Sequence, residues 1–467
     1  MKRTIVASAL FAVFAIPSAA LATDGYYPHG YGMKARGMGG ASTAMANDSF
    51  GGANNPASMV WAGDRFDIGL DLFSPRRDIS RSGSAVGIDG AVTSGSNLFY
   101  VPEFGYNRMI GWDMSVGVSV YGNGGMNTDY DGGQIPAGSP VCGNAPGGFN
   151  AASGRPGPYN LLCGSGKLAM NLEQLIIAPT FAKKINKDHS LGVSVLVARQ
   201  AFHVEGLSAF YSFTSAPLAG LPYATGNNLT ERGKDSSWGY GLKLGWMGKV
   251  SDKVSLGASY TSKLKMGKFD KYKDLFAGEG YFDIPENFSL GIAVQATPKL
   301  TIAADFERIG LSGIKSVNNP STNVGNSSAA APFFNIPGSL GCDTCRGFGW
   351  SSVNVFKLGA EYQYTPNLIL RAGYNHSDNP IQGRDVTFNM IAPGVIKDHA
   401  TLGFTYNLSK ESELTMAYMH AFTNSVEGSS LFNTWVRNPV TGAGLAGTEK
   451  IRMYENSLGI AYSMKLK

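Results

Sequence analysis

The chain has 467 residues, a formal net charge of +5 at neutral pH, 61 glycines and 11% aromatic residues. So small an excess of positive charge gives no reason to expect a nucleic-acid partner. The mean hydropathy of −0.07 excludes a helical membrane protein but suits a soluble protein or a barrel with one polar face.

Residues 1–22 are expected to be a secretory signal peptide. Lys2 and Arg3 supply the charged start, an apolar stretch follows, and Ala20-Leu21-Ala22 forms an A-x-A cleavage site. The alternative is a membrane anchor, but the apolar stretch is too short to span a bilayer and Pro17 interrupts it. We therefore expect an exported protein that begins after this segment.

Residues 23–64 are rich in glycine and alanine and show no alternation. They predict one short helix at 41–46 and a second within 54–60, where Asn55 can cap the helix and Pro56 suits its first position. A segment of this length has too little core to fold alone, so it needs a larger body to pack against.

From Arg65 onward the chain alternates between apolar and small or charged residues, as in Trp238, Tyr240, Leu242 and Leu244. A period of two places these two classes on opposite faces of a sheet. The approximate strands are 65–77, 97–109, 112–122, 168–184, 188–204, 236–250, 253–269, 284–297, 299–310, 351–364, 366–376, 398–408, 411–424 and 453–467.

Short and long connections alternate between these strands, as in bacterial barrels with short periplasmic turns and long outer loops. No apolar run after residue 22 is long enough for a membrane helix, and only a closed barrel otherwise satisfies backbone groups in lipid. Residues 65–467 are therefore predicted to form an all-β, 14-stranded antiparallel transmembrane barrel in the bacterial outer membrane. A water-soluble all-β fold would show the same alternation, but the signal peptide and the aromatic strand ends count against it.

A barrel of this width cannot fill its interior with its own side chains. Residues 23–64 are therefore expected to pack in the lumen as a small hatch, or plug, with Asn55, Pro56 and Ala57 forming a capped turn that locks it.

All four cysteines fall in the longest outer loops, near 123–167 and 311–350. In an exported protein the simplest arrangement is two disulfides. A zinc site at the C-x-x-C sequence would need a second ligand pair, which the sequence lacks, so we expect no metal. The expected pairs are Cys142–Cys163 and Cys342–Cys345.

Several stretches resemble a known family of outer-membrane transporters. Gly32-Met33-Lys34-Ala35-Arg36-Gly37-Met38-Gly39-Gly40-Ala41, followed by Asn55-Pro56-Ala57, resembles the N-terminal hatch of the FadL/TodX family. Similar strand motifs are Trp238–Gly245, Ser255–Tyr260, Lys357–Tyr362, Leu370–Tyr374 and Leu402–Tyr406.

The resemblance implies passive uptake of long-chain fatty acids or other hydrophobic compounds by a monomer that contacts outer-membrane lipid and lipopolysaccharide. It also implies capture among the outer loops, an apolar pocket beside the hatch and sideways exit at a kink in the third strand. The corresponding glycines are Gly122, Gly124 and Gly125, which could break strand pairing or could simply begin the next loop.

A fatty acid needs a cation or hydrogen-bond donor for its carboxylate. The alternation places several cations on the inner face, and Lys243, Lys357 and Arg371 are the candidate ligand-binding residues. The alternative is that these cations pair with inward acidic residues. The inward lysines also include Lys263 and Lys265, and the inward acids are Asp67, Asp71, Asp305, Glu307 and Glu361.

Other functions remain open. A general porin or an aromatic-hydrocarbon channel would share the barrel, although a hatch would obstruct an open pore. An enzyme is not expected, because the six histidines lack any catalytic motif, and no cofactor is expected either.

Overall fold

The computed structural model describes residues 23–214, 228–323 and 339–466. The predicted signal peptide at 1–22 lies outside the described residues. Among the described residues, no helix is both long and apolar enough to cross a membrane.

The described ranges contain fourteen long antiparallel strands, each paired with its neighbour in sequence, and the last strand pairs with the first to close a barrel. The closing ladder runs from Arg65–Lys465 to Ser82–Thr448. The strands are β1 (Arg65–Ser82), β2 (Phe99–Met109), β3 (Met114–Tyr130), β4 (Leu168–Lys184), β5 (His189–Glu205), β6 (Asp235–Ser251), β7 (Val254–Thr261), β8 (Asn287–Thr297), β9 (Leu300–Ile309), β10 (Val353–Thr365), β11 (Leu368–Ser377), β12 (Asp398–Asn407), β13 (Ser412–Ser429) and β14 (Thr448–Lys465). Two short strands, Gly90–Thr93 and Lys265–Met266, pair antiparallel with the loop-side parts of β1 and β6.

The predicted alternation of connections is confirmed. The turns at one end hold two to four residues, as at 252–253 between β6 and β7, and the other end carries the long connections. Both ends of the barrel sequence, Arg65 and Lys465, lie at the short-turn end.

The burial pattern inverts that of a soluble protein. Along β6 the exposed positions are Trp238, Tyr240, Leu242 and Leu244, whereas Lys243 between them is buried. A soluble sheet would enclose such apolar residues and hydrate the lysine. The outer wall is therefore suited to hydrocarbon, with the polar residues inside.

The helices within the described ranges are short, and none of them forms part of the barrel wall. They are α1 (Met33–Arg36), α2 (Met59–Ala62), α3 (Lys315–Asn318) and α4 (Val386–Asn389). Short 3-10 helices in the described ranges occur at Pro56–Ser58, Ser208–Phe213, Asp270–Tyr272, Leu311–Gly313, Gly383–Asp385 and Leu431–Thr434.

The predicted helix at 54–60 is confirmed as the 3-10 turn leading into α2, with the Ala57 N–H donating to Asn55 Oδ1 at 3.1 Å. The predicted helix at 41–46 is wrong. The N–H groups of Ser42 and Thr43 instead donate to Asp305 Oδ2 at 2.7 and 2.8 Å, which holds this stretch in a turn against the wall.

Two predicted strand ends also differ. β3 runs on to Tyr130, through the glycines that we considered as the start of a loop. β7 ends at Thr261 rather than near 269, so the alternation no longer applies beyond it. Lys263 and Lys265 are exposed, and the prediction that they face inward is wrong.

Residues 23–64, here called the N-terminal segment, contact the inner faces of strands around the barrel. A Cβ on Gly245 of β6 would overlap Asn55 Oδ1, and one on Gly373 of β11 would overlap the backbone of Met38 and Gly39. The wall is therefore fitted closely to this segment.

Carboxylates on the inner wall bind the N-terminal segment. Arg36 is paired with Asp71, and Lys34 lies 2.5 Å from Glu413. Asp67 of β1 accepts the N–H of Ser49 at 2.9 Å, and Asp305 of β9 binds the 42–43 turn. Charges taken out of water need such partners, so the segment and the wall stabilise each other.

The long connections pack together over the other end of the barrel in an apolar cluster. Both expected disulfides, Cys142–Cys163 and Cys342–Cys345, are formed within these connections.

We expect Asn55→Ala to lower the free energy of unfolding by about 2–4 kcal/mol. The fully buried Asn55 amide donates to the carbonyls of Thr43 and Trp246 at 2.8 and 2.9 Å, and both would lose their donor. Urea unfolding in lipid vesicles measures the change, and the exposed Asn144→Ala is the matched control. Equal stability of Asn55→Ala and wild type would contradict this role.

Candidate functional site

Five long connections enclose a small apolar cavity of about 40 Å³ at the loop end of the barrel. The only charged side chain among its lining residues is Arg346. The apolar side chains of the lining are Leu162, Leu207, Phe210, Leu229, Leu275, Phe276, Leu340, Phe348, Phe388 and Ile391. We call this space the outer chamber.

Arg346 is only 3% exposed, yet no carboxylate pairs with it within the described ranges. Its Nη1 donates to the Ser321 carbonyl, and its Nε has no hydrogen-bond partner among the described atoms. The centre of the guanidinium lies 5.8 Å from the Phe213 ring and 5.5 Å from the Trp435 ring. Burial lowers the pKa of Arg346 to about 10. A buried guanidinium that has no carboxylate partner is stabilised when an anion binds beside it.

A second cavity of about 40 Å³, the inner cavity, lies between the N-terminal segment and the wall from β3 to β10. Lys243, Lys357 and Glu307 contribute its charges, and Tyr27 and Tyr31 of the N-terminal segment cover one side. Its other walls mix hydroxyl and amide groups with Leu196, Leu264 and Ile284. The resemblance implied an apolar pocket here, and the cavity instead combines apolar and charged groups.

The three predicted ligand-binding cations differ in their surroundings. Lys357 Nζ lies 2.7 Å from Glu307 Oε2, in agreement with the alternative that the inward cations pair with inward acidic residues. Arg371 pairs with Glu361 at 2.7 Å and donates to Thr405, away from the inner cavity. Lys243 is 7% exposed and makes no hydrogen bond or ion pair with any described residue, so its ammonium is available to a ligand.

The barrel wall has a discontinuity between β2 and β3. Their ladder ends at the pair Phe104–Val120, so 99–103 and 121–127 face each other without ladder hydrogen bonds in the described part of the chain. On its other edge, β3 shifts register against β4 between Gly122 and Gly124.

Hydrogen bonds on both sides frame this gap. Towards the loops, the Gly95 N–H donates to the Asp129 carbonyl at 2.8 Å, and the Asp129 N–H donates to Ser94 Oγ at 3.0 Å. The gap is therefore a bounded window in the wall, and Val101 packs against Gly122 across it.

The N-terminal segment covers the window from within. The Gly125 N–H donates to the Tyr26 carbonyl at 3.2 Å, and Tyr31 Oη donates to Asn123 Oδ1 at 3.1 Å. At Gly124 the φ angle is +148° and a Cβ would overlap the Tyr26 carbonyl, so this approach requires glycine.

The predicted hatch residues Asn55, Pro56 and Ala57 lie at the opposite, short-turn side of the segment. Ser190 Oγ of β5 donates to the Ala57 carbonyl at 2.9 Å, and Trp61 Nε1 donates to the same Ser190 Oγ at 2.8 Å. These contacts fix the end of the segment to the wall.

Sequence reasoning missed Arg346 and the Tyr26–Gly125 contact. An arginine in a long polar loop is ordinarily exposed, and no local pattern marks one that distant loops will bury.

Among the described residues, no group of three or more His, Cys, Asp or Glu side chains is arranged to hold a metal ion.

Comparison with known proteins identifies the family to which this barrel belongs. Residues 162–448, more than half of the chain, match the family described as outer membrane protein transport protein (OMPP1/FadL/TodX). A curated relative, the putative outer membrane protein NMB0088 of Neisseria meningitidis serogroup B, is 21% identical over 261 residues. The match covers 50% of this chain and about half, 52%, of that relative.

Solved structures with the same fold cover nearly the whole chain. The toluene transporter TodX of Pseudomonas putida superposes with a TM-score of 0.62 at 17% identity, covering 94% of this chain and 99% of that one. A FadL homologue of Pseudomonas aeruginosa superposes with a TM-score of 0.61 at 15% identity, covering 95% and 100%. With its closed fourteen-stranded barrel and this family match, the chain belongs to the FadL/TodX family of outer-membrane transport proteins, which are channels of the bacterial outer membrane and not enzymes.

Proposed function

We propose that this protein is a passive outer-membrane channel for long-chain fatty acids or similar amphiphiles with an acidic head group. The observation that carries the proposal is Arg346, a buried guanidinium without a carboxylate partner among the described residues, in a chamber otherwise lined by apolar side chains. A fatty acid supplies both the missing anion and an apolar tail.

The outer chamber is the first binding site on the transport route. Its present volume of about 40 Å³ is too small for an acyl chain, so capture requires the loops to part around the tail. The exchange is favourable because the tail leaves water, while the loop contacts that it displaces are replaced by equally apolar ones.

Lys243 forms the second binding site, in the inner cavity beside the N-terminal segment. Its ammonium has no partner to give up among the described residues, whereas Lys357 would have to leave Glu307. A carboxylate arriving there gains a charge-assisted hydrogen bond.

The N-terminal segment, residues 23–64, acts as the hatch, while 65–467 form the channel and 1–22 the signal peptide. The hatch is fixed near Asn55, Pro56 and Ala57 and by the wall carboxylates that bind its middle part, and the part that moves is the 26–31 stretch at the window.

The window between β2 and β3 provides the sideways exit. Opening it requires the Tyr26 carbonyl to release the Gly125 N–H and the Tyr31 hydroxyl to leave Asn123. The glycines at 122, 124 and 125 leave this edge of β3 without side chains that would fill the opening. The tail can then pass into the membrane without crossing the polar short-turn end.

Two related functions are less well supported. Two of the structural matches are described as a toluene transporter and a monoaromatic hydrocarbon channel. A hydrocarbon offers no charge to Arg346. A general porin needs an open bore, and the N-terminal segment contacts the inner wall around the barrel.

Arg346→Met tests the proposal directly. We expect the Kd for oleate to rise about tenfold or more, since a hydrogen bond to a charged group contributes about 1.5–3 kcal/mol. Affinity for oleyl alcohol, which has the same tail and no charge, should stay unchanged. Binding is measured by calorimetry with the purified protein, and the exposed loop variant Arg437→Met is the control. An equal loss for oleate and oleyl alcohol would contradict the role of the guanidinium.

Lys243→Met should slow fatty-acid uptake about tenfold while leaving thermal stability unchanged, because no protein partner in the described chain is lost. Lys357→Met should instead lower stability by about 3 kcal/mol, because it leaves Glu307 unpaired. Uptake of a labelled fatty acid and heat-induced unfolding are compared for both variants. If Lys243→Met takes up ligand at the wild-type rate, the proposal that Lys243 binds the ligand is wrong.

A disulfide across the window tests the exit. Val101 and Gly122 are in contact there, so the double variant Val101→Cys/Gly122→Cys should close the window when oxidised. We expect uptake to stop under oxidising conditions and to return with reductant. The single variants and wild type under the same reductant control for the two native disulfides. Full uptake by the cross-linked protein would show that ligand leaves elsewhere.

A further inference from the structure

A large groove lies on the outside of the barrel, apart from the transport route. β7 ends at Thr261, so on that edge the loop-side half of β6 is flanked only by the two-residue strand Lys265–Met266, while its other edge stays paired with β5. Residues 277–283 and 313–316 rise on the other sides and enclose about 680 Å³. This volume greatly exceeds that of the outer chamber or the inner cavity.

Aromatic side chains and lysines line the groove. Trp238 and Tyr240 of β6 are 53% and 72% exposed on its floor, and Tyr281 faces them. Lys265 is paired in register with Tyr240, and Lys263 lies two residues earlier on the same exposed side.

The charged residues that line the groove are Lys263, Lys265, Lys315, Asp283 and Asp343, three cations against two carboxylates, so its net charge is +1. Lys265 has no hydrogen bond or ion pair with any described residue, and Lys263 Nζ makes only a 3.5 Å contact with the Gly313 carbonyl. Lys315 is already paired with Asp343 at 2.7 Å, and Asp283 accepts the Met266 N–H at 2.8 Å. Lys263 and Lys265 are therefore the two groove cations without a carboxylate partner among the described residues, and their ammonium groups can bind an anion.

The apolar wall continues directly below these lysines. Leu242 and Leu244 of β6 and Leu290 of β8 are about half exposed on the same outer face. A ligand that fits this surface carries acyl chains for the wall and a negatively charged group at the height of Lys263 and Lys265.

We propose that the groove binds the phosphorylated glycolipid of the outer leaflet, lipid A of lipopolysaccharide, through its phosphates. The groove lies at the end with the long connections, which faces outward in this family of outer-membrane proteins. Aromatic residues occupy the membrane surface, and basic residues there attract anionic lipid headgroups. The acyl chains then lie along Leu242 and Leu244.

The test compares bisphosphorylated lipid A with its dephosphorylated form, each titrated against the purified full-length protein and followed by native mass spectrometry. Wild type should bind the bisphosphorylated form about tenfold to thirtyfold more tightly, as two lysine contacts predict. Lys263→Gln/Lys265→Gln should lose this preference and keep wild-type fatty-acid uptake, which separates this site from the transport route.

The matched control is Lys253→Gln/Lys299→Gln, which removes two exposed lysines at the short-turn end. It should bind both lipids as wild type does. The proposal is overturned if wild type does not distinguish the two lipids, if Lys263→Gln/Lys265→Gln keeps the preference, or if the control loses it equally.

Discussion

The structure depends on one constraint: a barrel with an apolar outside encloses its charged side chains, and those charges need partners away from bulk water. The N-terminal segment supplies them. Asp305 is bound by two backbone N–H groups, Asp71 by Arg36 and Glu413 by Lys34. The same contacts that satisfy the wall also keep the segment in the bore, so stability and closure have a common origin.

Two buried cations that lack a carboxylate partner among the described residues lie in the two cavities. Arg346 in the outer chamber and Lys243 in the inner cavity lack carboxylate partners within the described chain, whereas Lys357 and Arg371 have them. The wall itself is interrupted at the glycine-rich edge of β3, where its backbone bonds to the N-terminal segment instead of to β2. Unpaired cations and an unpaired strand edge thus lie at successive points of the proposed route.

The sequence predicts those features that depend on neighbouring residues. Alternation with a period of two located fourteen strands, and the Asn55-Pro56 pair located a capped turn. It failed where distant contacts decide, since the 41–46 stretch follows Asp305 and not its own helix propensity. Lys263 and Lys265 face outward because β7 ends early, and Arg346 is buried by loops far away in the chain. The glycines of β3 were ambiguous because pairing with β4 carries the strand past them.

The most direct test is the conductance of the purified protein in a planar lipid bilayer. An N-terminal segment held in the bore by the wall carboxylates predicts a membrane-inserted protein without steady ion current. A steady open pore of nanosiemens conductance in the wild-type protein would contradict the account, because it would require a water-filled bore past that segment.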